Sequence, residues 1–285
     1  MRKLAFVTDS SVVLTQELKS HPDIYQIPLN VVVNGKTYED QLEFKDEMWI
    51  KALQNDDDIS TSLPSVDRAV SIFEAVKAQG YETVFVAVIS STLSGTYNLL
   101  RLAVSTAEMD NVVMLDTKNA LGAVGYLAEI IFKGASLNWS DDEIKDQIER
   151  LNLKSVLYAL PRTLYNIAKS GRISHAIAKI ASLIRVNAIL EWKAGYMSLE
   201  LATVSRSVKK AMSKIVQKLQ ESDLIKEQSR IYVFTIDDHS IGDAMEAMIK
   251  NLWPQIKVIR DQIPGIIAVH GGLGCLVVQM QELME

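Results

Sequence analysis

The stretch TVFVAVIS, residues 83–90, limits the possible folds more than any other. Its apolar run, Val84–Ile89, is unbroken and does not alternate. A run that short and that continuous predicts a strand covered on both faces. The polar turn SSTLSGT follows, and a helical pattern then extends from about Tyr97 to Ala107. A strand that feeds a helix through a short turn is half of a parallel crossover. The same order recurs on both sides. LAFVT (4–8) runs into DSS, and NVVMLDT (111–117) precedes a helix expected from Gly125. Between them Val66, Ala69, Val70, Phe73 and Val76 make one helical stripe that ends at Gly80. The first half therefore reads as an α/β layer with a mostly parallel sheet.

The segment Ile24–Val33 reads as one strand stopped by Asn34–Gly35, a pair that favours a tight turn, with KTYED returning beside it. A helix is expected from Phe44. Ser140 caps another, with acidic residues in its first turn. From SVLYAL (155–160) onward strands and helices mix: RVNAILEW (185–192), an amphipathic helix over 205–221, RIYVFTID (230–237) and QIKVIRDQI (255–263). A helix is also expected around 175–183. These shifts predict two domains, 1–155 and 156–285, in a chain of 285 residues.

The net charge of −5 and the absence of a lysine- and arginine-rich block argue against nucleic acid as a partner. No apolar run is long enough to span a membrane, and MRKLAFVTDSS lacks the apolar core of a signal peptide. With a lone cysteine, Cys275, these features predict a cytoplasmic protein. Nucleotide-binding glycine patterns are missing, and HGGLGC (270–275) lacks the lysine and hydroxyl of a phosphate loop. No metal-ligand spacing is present, so no metal or other cofactor is expected.

Two hydroxyl-rich turns, TSLPS (61–65) and ISSTLSGT (89–96), each lead into a helix. Helix N-termini leave backbone N–H groups unpaired and attract anions, and hydroxyls add donors without charge. Capping is the simpler role, for which Ser65 and Ser94 are suited. A ligand seat is the sharper one, with Gly95 allowing close approach. A hydrolase built on Ser94, His270 and Asp116 is the competing chemistry. Against it, Thr92 stands where the GxSxG elbow needs glycine.

The stretches VTDSS (7–11), TSLPS (61–65), ISSTLSGTY (89–97), DT (116–117) with Gly125 beyond, KSGRIS (169–174) and HGGLG (270–274) occur in an order that resembles the DegV family of fatty-acid-binding proteins over essentially the whole chain. The resemblance implies a two-domain fold with a long-chain fatty acid between the domains. It implies that Thr61 and Ser94 contact the carboxylate, that Ser62 and the Gly95 and Thr96 backbone are neighbours, and that His270 lies at the same end. It further implies a non-catalytic subunit that presents the acid to a separate fatty acid kinase, with Arg172 serving the partner surface or the phosphoryl transfer. Candidate linings for the acyl tail are Ile27, Leu29, Ile167, Ile177, Ile180 and Ile184. The sequence departs from the family pattern at Val13, Leu121, Ser170, Asn187 and Leu273, and these changes bear more on the partner surface than on Thr61, Ser94 and His270.

Overall fold

The computed structural model describes residues 2–173, 177, 186–222, 224–226 and 228–284. The first elements are β1 (Leu4–Asp9), α1 (Gln16–Lys19), β2 (Ile24–Ile27), β3 (Asn30–Val33), β4 (Lys36–Glu39), α2 (Asp46–Gln54) and β5 (Ile59–Ser62). Then come α3 (Val66–Lys77), β6 (Thr83–Val88), α4 (Thr96–Thr106), β7 (Val112–Asp116), α5 (Leu121–Ser136) and α6 (Asp141–Asn152). The remainder comprises β8 (Ser155–Leu160), α7 (Tyr165–Ser170), β9 (Asn187–Lys193), β10 (Glu200–Ser205), α8 (Val208–Glu221), β11 (Ser229–Thr235), α9 (His239–Leu252), β12 (Lys257–Gln262), α10 (Gly265–Gly271) and β13 (Leu276–Glu282). The helix expected around 175–183 lies outside the described residues, apart from Ile177. Among the described residues no helix is long and apolar enough to cross a membrane.

The chain forms two compact units. One comprises Met1–Lys45 and Ser60–Asn152, the other Asp46–Ile59 and Leu153–Glu285. The first unit holds a fully parallel sheet in the order β2-β1-β6-β7. Val84, Val86 and Val88 pack with Phe73 of α3 and Leu100 of α4 on one face. Phe85 and Ala87 alternate to the other face and are equally buried, and α5 packs against β1 and β6. The unbroken apolar run of β6 thus answers to two covered faces. Gly125 permits the approach of α5, because a Cβ there would lie 2.1 Å from the Val13 carbonyl oxygen.

Two boundaries differ from the sequence expectation. Residues 24–33 are two strands in different sheets, broken at Pro28, which has no N–H to donate to a ladder. The next N–H, that of Leu29, donates to Ser10 Oγ at 3.1 Å. β3 then turns through Asn34 and Gly35, both at positive φ, into β4. α5 begins at Leu121 rather than Gly125. Ser140 and Glu143 form a reciprocal capping box at α6: the Glu143 N–H donates to Ser140 Oγ at 3.2 Å, and the Ser140 N–H to Glu143 Oε2 at 2.7 Å.

The second unit is a mixed sheet in the order β10-β9-β8-β13-β11-β12, antiparallel except for the β11–β12 pair. Its core joins Val156, Ile189, Val233 and Val278 to Ile215 of α8 and Met245 of α9. α2 belongs to this unit through Trp49, which is fully buried. A Cβ at Gly265 would lie 2.0 Å from the Trp49 indole Nε1, so the absence of a side chain there is what seats the ring.

Candidate functional site: a hydroxyl turn at the parallel sheet edge

In the first unit the carboxyl ends of β1, β6 and β7 meet, which is where open α/β sheets place ligands. The segment after β6 folds back on itself: the Leu93 and Ser94 N–H groups donate to the Ser90 carbonyl at 3.0 and 3.1 Å. Two hydroxyl pairs follow, Ser90–Thr92 at 2.9 Å and Ser94–Thr96 at 2.8 Å. Gly95, not Ser94, occupies the cap position of α4, and no side chain caps it. The Thr96 N–H donates to Ser94 Oγ at 3.3 Å. Ser94 is half-buried, Gly95 exposed and Thr96 buried at the opening of α4.

The TSLPS segment lies beside this turn. A Cβ at Gly95 would stand 3.2 Å from a Leu63 methyl, and the Leu63 carbonyl is held by Asn30 Nδ2 at 2.9 Å. Ser65 caps α3 by accepting from the Arg68 N–H at 3.1 Å. That leaves Thr61, half-buried on β5, separate from the cap. Ser62 is exposed and, as the next residue of the strand, faces the opposite side from Thr61.

The remaining candidates lie in the second unit. His270 sits in the last turn of α10 and opens the HGGLG stretch, in which Gly272 and Gly274 take positive φ. Burial holds its imidazole down to about 4, and the Arg172 guanidinium adds to the shift, so it is neutral at pH 7. Arg172 follows Gly171, the left-handed cap of α7, and donates to the Ser170 carbonyl. Its own pKa is lowered by burial. The structure therefore brings Leu63 of the TSLPS segment to Gly95 within the first unit, and Arg172 to His270 within the second.

For the proposed tail lining, Ile27 belongs to the first unit's core, while Leu29, Ile167 and Ile177 are buried. Ile180 and Ile184 lie outside the described residues, as does Ser174 of the KSGRIS stretch. The hydrolase arrangement gains nothing from the geometry. Asp116, its acid, is engaged by Ser91, and an imidazole held at about 4 is a weak base at neutral pH. Among the described residues no group of three or more His, Cys, Asp or Glu is placed to hold a metal.

Sequence reading did not single out Asp9, Ser91 and Asp116 as partners of this turn. Asp9 is fully buried; it accepts from the Ser11 N–H at 2.8 Å, from the Ser11 hydroxyl, and from the Ile89 N–H at 3.2 Å. Burial raises its pKa against these hydrogen bonds. An aspartate closing each strand on either side of β6 was the available signal.

A parallel sheet with hydroxyl turns at its carboxyl edge, joined to a mixed sheet with a histidine–glycine loop, defines a two-unit α/β architecture. The DegV family model, described as "uncharacterised protein, DegV family", matches residues 3–282, and the chain belongs to that family. A DegV domain-containing protein of Listeria monocytogenes is 28% identical over 275 residues, 96% of each chain. The crystal structure of DegV, a fatty acid binding protein from Bacillus subtilis, superposes with a TM-score of 0.85 at 26% identity, covering 99% of this chain and 100% of that one. A fatty acid binding DegV family protein from Streptococcus agalactiae reaches a TM-score of 0.91 at 19% identity, with full coverage of both chains.

Proposed function

We propose that this protein binds a long-chain fatty acid, with Thr61 and Ser94 contacting the carboxylate and the Gly95 and Thr96 backbone beside them. The observation that carries the reading is the contact of Leu63 with Gly95, which puts the TSLPS segment against the Ser94 turn. The fatty acid binding stated for the B. subtilis relative supports the ligand class. A buried carboxylate needs several donors, and hydroxyls with helix N–H groups supply them without a counter-ion. Ser62 contributes through its backbone, since its side chain faces away from that of Thr61. The acyl chain supplies most of the affinity, at about 0.8 kcal/mol per buried methylene. The role is one of binding rather than catalysis.

The family resemblance alone carries three further parts of the reading: a ligand position between the domains, His270 at the carboxylate end, and presentation of the acid to a separate kinase with Arg172 at the partner surface. The division into domains 1–155 and 156–285 remains part of the proposal, and the compact units depart from it by grouping 46–59 with the second.

Extraction and mass spectrometry of freshly purified protein should release a fatty acid. Replacing both Thr61 and Ser94 by Ala should weaken fatty acid binding about 100-fold or more, two charge-assisted hydrogen bonds being lost, while the circular dichroism spectrum is retained. A folded double variant with unchanged affinity would remove the head-group assignment.

A further inference from the structure

Two carboxylates outside the proposed ligand set grip the segment that carries Ser94. The strand order puts β1 and β7 on either side of β6, and each ends in an aspartate, Asp9 and Asp116. As the chain leaves β6, its first free N–H, that of Ile89, donates to Asp9 Oδ2 at 3.2 Å. Two residues later the Ser91 N–H donates to Asp116 Oδ1 at 3.3 Å, and the Ser91 hydroxyl to Oδ2 at 2.9 Å. Alternate residues are thus held from opposite sides, one by each flanking strand. Ser90, between them, accepts the N–H groups of Leu93 and Ser94. Whatever fixes 89–91 therefore fixes Ser94 through a single turn.

We propose that Asp9 and Asp116 are positioning residues for the hydroxyl turn and set its preference for a carboxylate over an uncharged head. The inference rests on the reading that Ser94 contacts the head group. A charged head withdrawn from water depends on donors already fixed in place, whereas an ester of the same chain length depends on them far less. Loosening the grip at 89–91 therefore lowers affinity for the acid and leaves that for the ester unchanged. Neither aspartate needs to touch the ligand, since their oxygens are turned to the chain they hold.

The test compares binding of oleic acid with binding of methyl oleate. Asp9 is fully buried and its loss threatens the fold, so Asp116 and Ser91, both half-buried, are the positions to change. Asp116→Ala should lower the acid affinity about tenfold and leave ester affinity and melting temperature near wild type. Asp116→Asn should restore the acid affinity, because an amide can accept from the Ser91 N–H and donate to its hydroxyl. Ser91→Ala, which keeps the N–H bond, should cost the acid about threefold. An unchanged acid-to-ester ratio in folded Asp116→Ala, or equal loss of both ligands, overturns the inference. If Asp116→Ala does not fold, an unchanged ratio in Ser91→Ala overturns it in the same way. Ser94→Ala, measured alongside, separates the two claims. If it leaves the ratio intact, the head-group reading fails. If it collapses the ratio while Asp116→Ala does not, only the positioning role fails.

Discussion

His270 carries a charge cost that a surface histidine would not. Its folded-state pKa, about 4, lies below its ordinary value of 6.5 because burial and the Arg172 guanidinium disfavour the imidazolium. The unfolded chain therefore takes up a proton first as pH falls. The stability linked to this group is full above about pH 6.5 and is lost progressively toward pH 4. By pH 5 the loss should reach about 1–2 kcal/mol relative to a His270→Gln variant, which lacks the group. Urea midpoints of the two proteins at pH 7 and pH 5 measure it, and a constant difference would contradict the assignment. At this scale the sequence was partly legible. Ser65 could be assigned as a cap from its place before a helical stripe, and Thr61 could be distinguished from it. Asp9 and Asp116 are visible in the sequence as the ends of their strands, but their contacts depend on which strands flank β6, and strand order is not written in local pattern.

Among elements, α3 and α4 differ in how they begin. α3 has a side-chain cap, Ser65, while α4 starts at Gly95 with none. At α3 the cap side chain itself takes the Arg68 N–H, whereas at α4 the residue before the cap, Ser94, takes the Thr96 N–H. Ser65→Ala should therefore cost about 1 kcal/mol in urea unfolding and leave fatty acid affinity unchanged. A parallel loss of affinity would place Ser65 in the site. The apolar run of β6 and the stripe of α3 announced their elements because burial on two faces, or on one, leaves a plain period. The break at Pro28 was hidden inside an apolar stretch that reads as one strand. The early start of α5 was hidden as well. Leu121 sits there at φ +53, a conformation branched side chains seldom adopt, and nothing in its chemistry announces it.

At the level of the whole molecule, the least legible feature is the assignment of 46–59 to the second unit. The pairing of Trp49 with Gly265 spans more than 200 residues, and no composition or spacing signal reaches that far. A chain of residues 153–285 alone would lack α2 and leave the Trp49 seat open. Adding a peptide of residues 46–59 should raise the melting temperature of that fragment and slow amide exchange in α10. The same peptide with Trp49→Ala should do neither, since losing a buried Trp costs about 3–5 kcal/mol. An equal effect of both peptides would show that the indole does not make the joint.

That long-range joint also imposes a timetable on biosynthesis. α2 leaves the ribosome early, but the glycine that receives its indole is translated more than 200 residues later. At ~5–20 residues per second the apolar face of α2 waits roughly 10–40 s for its seat. For that interval the nascent chain carries Trp49 without the glycine seat that its own unit provides. Burial of Trp49 is therefore one of the last events that synthesis of the second unit permits.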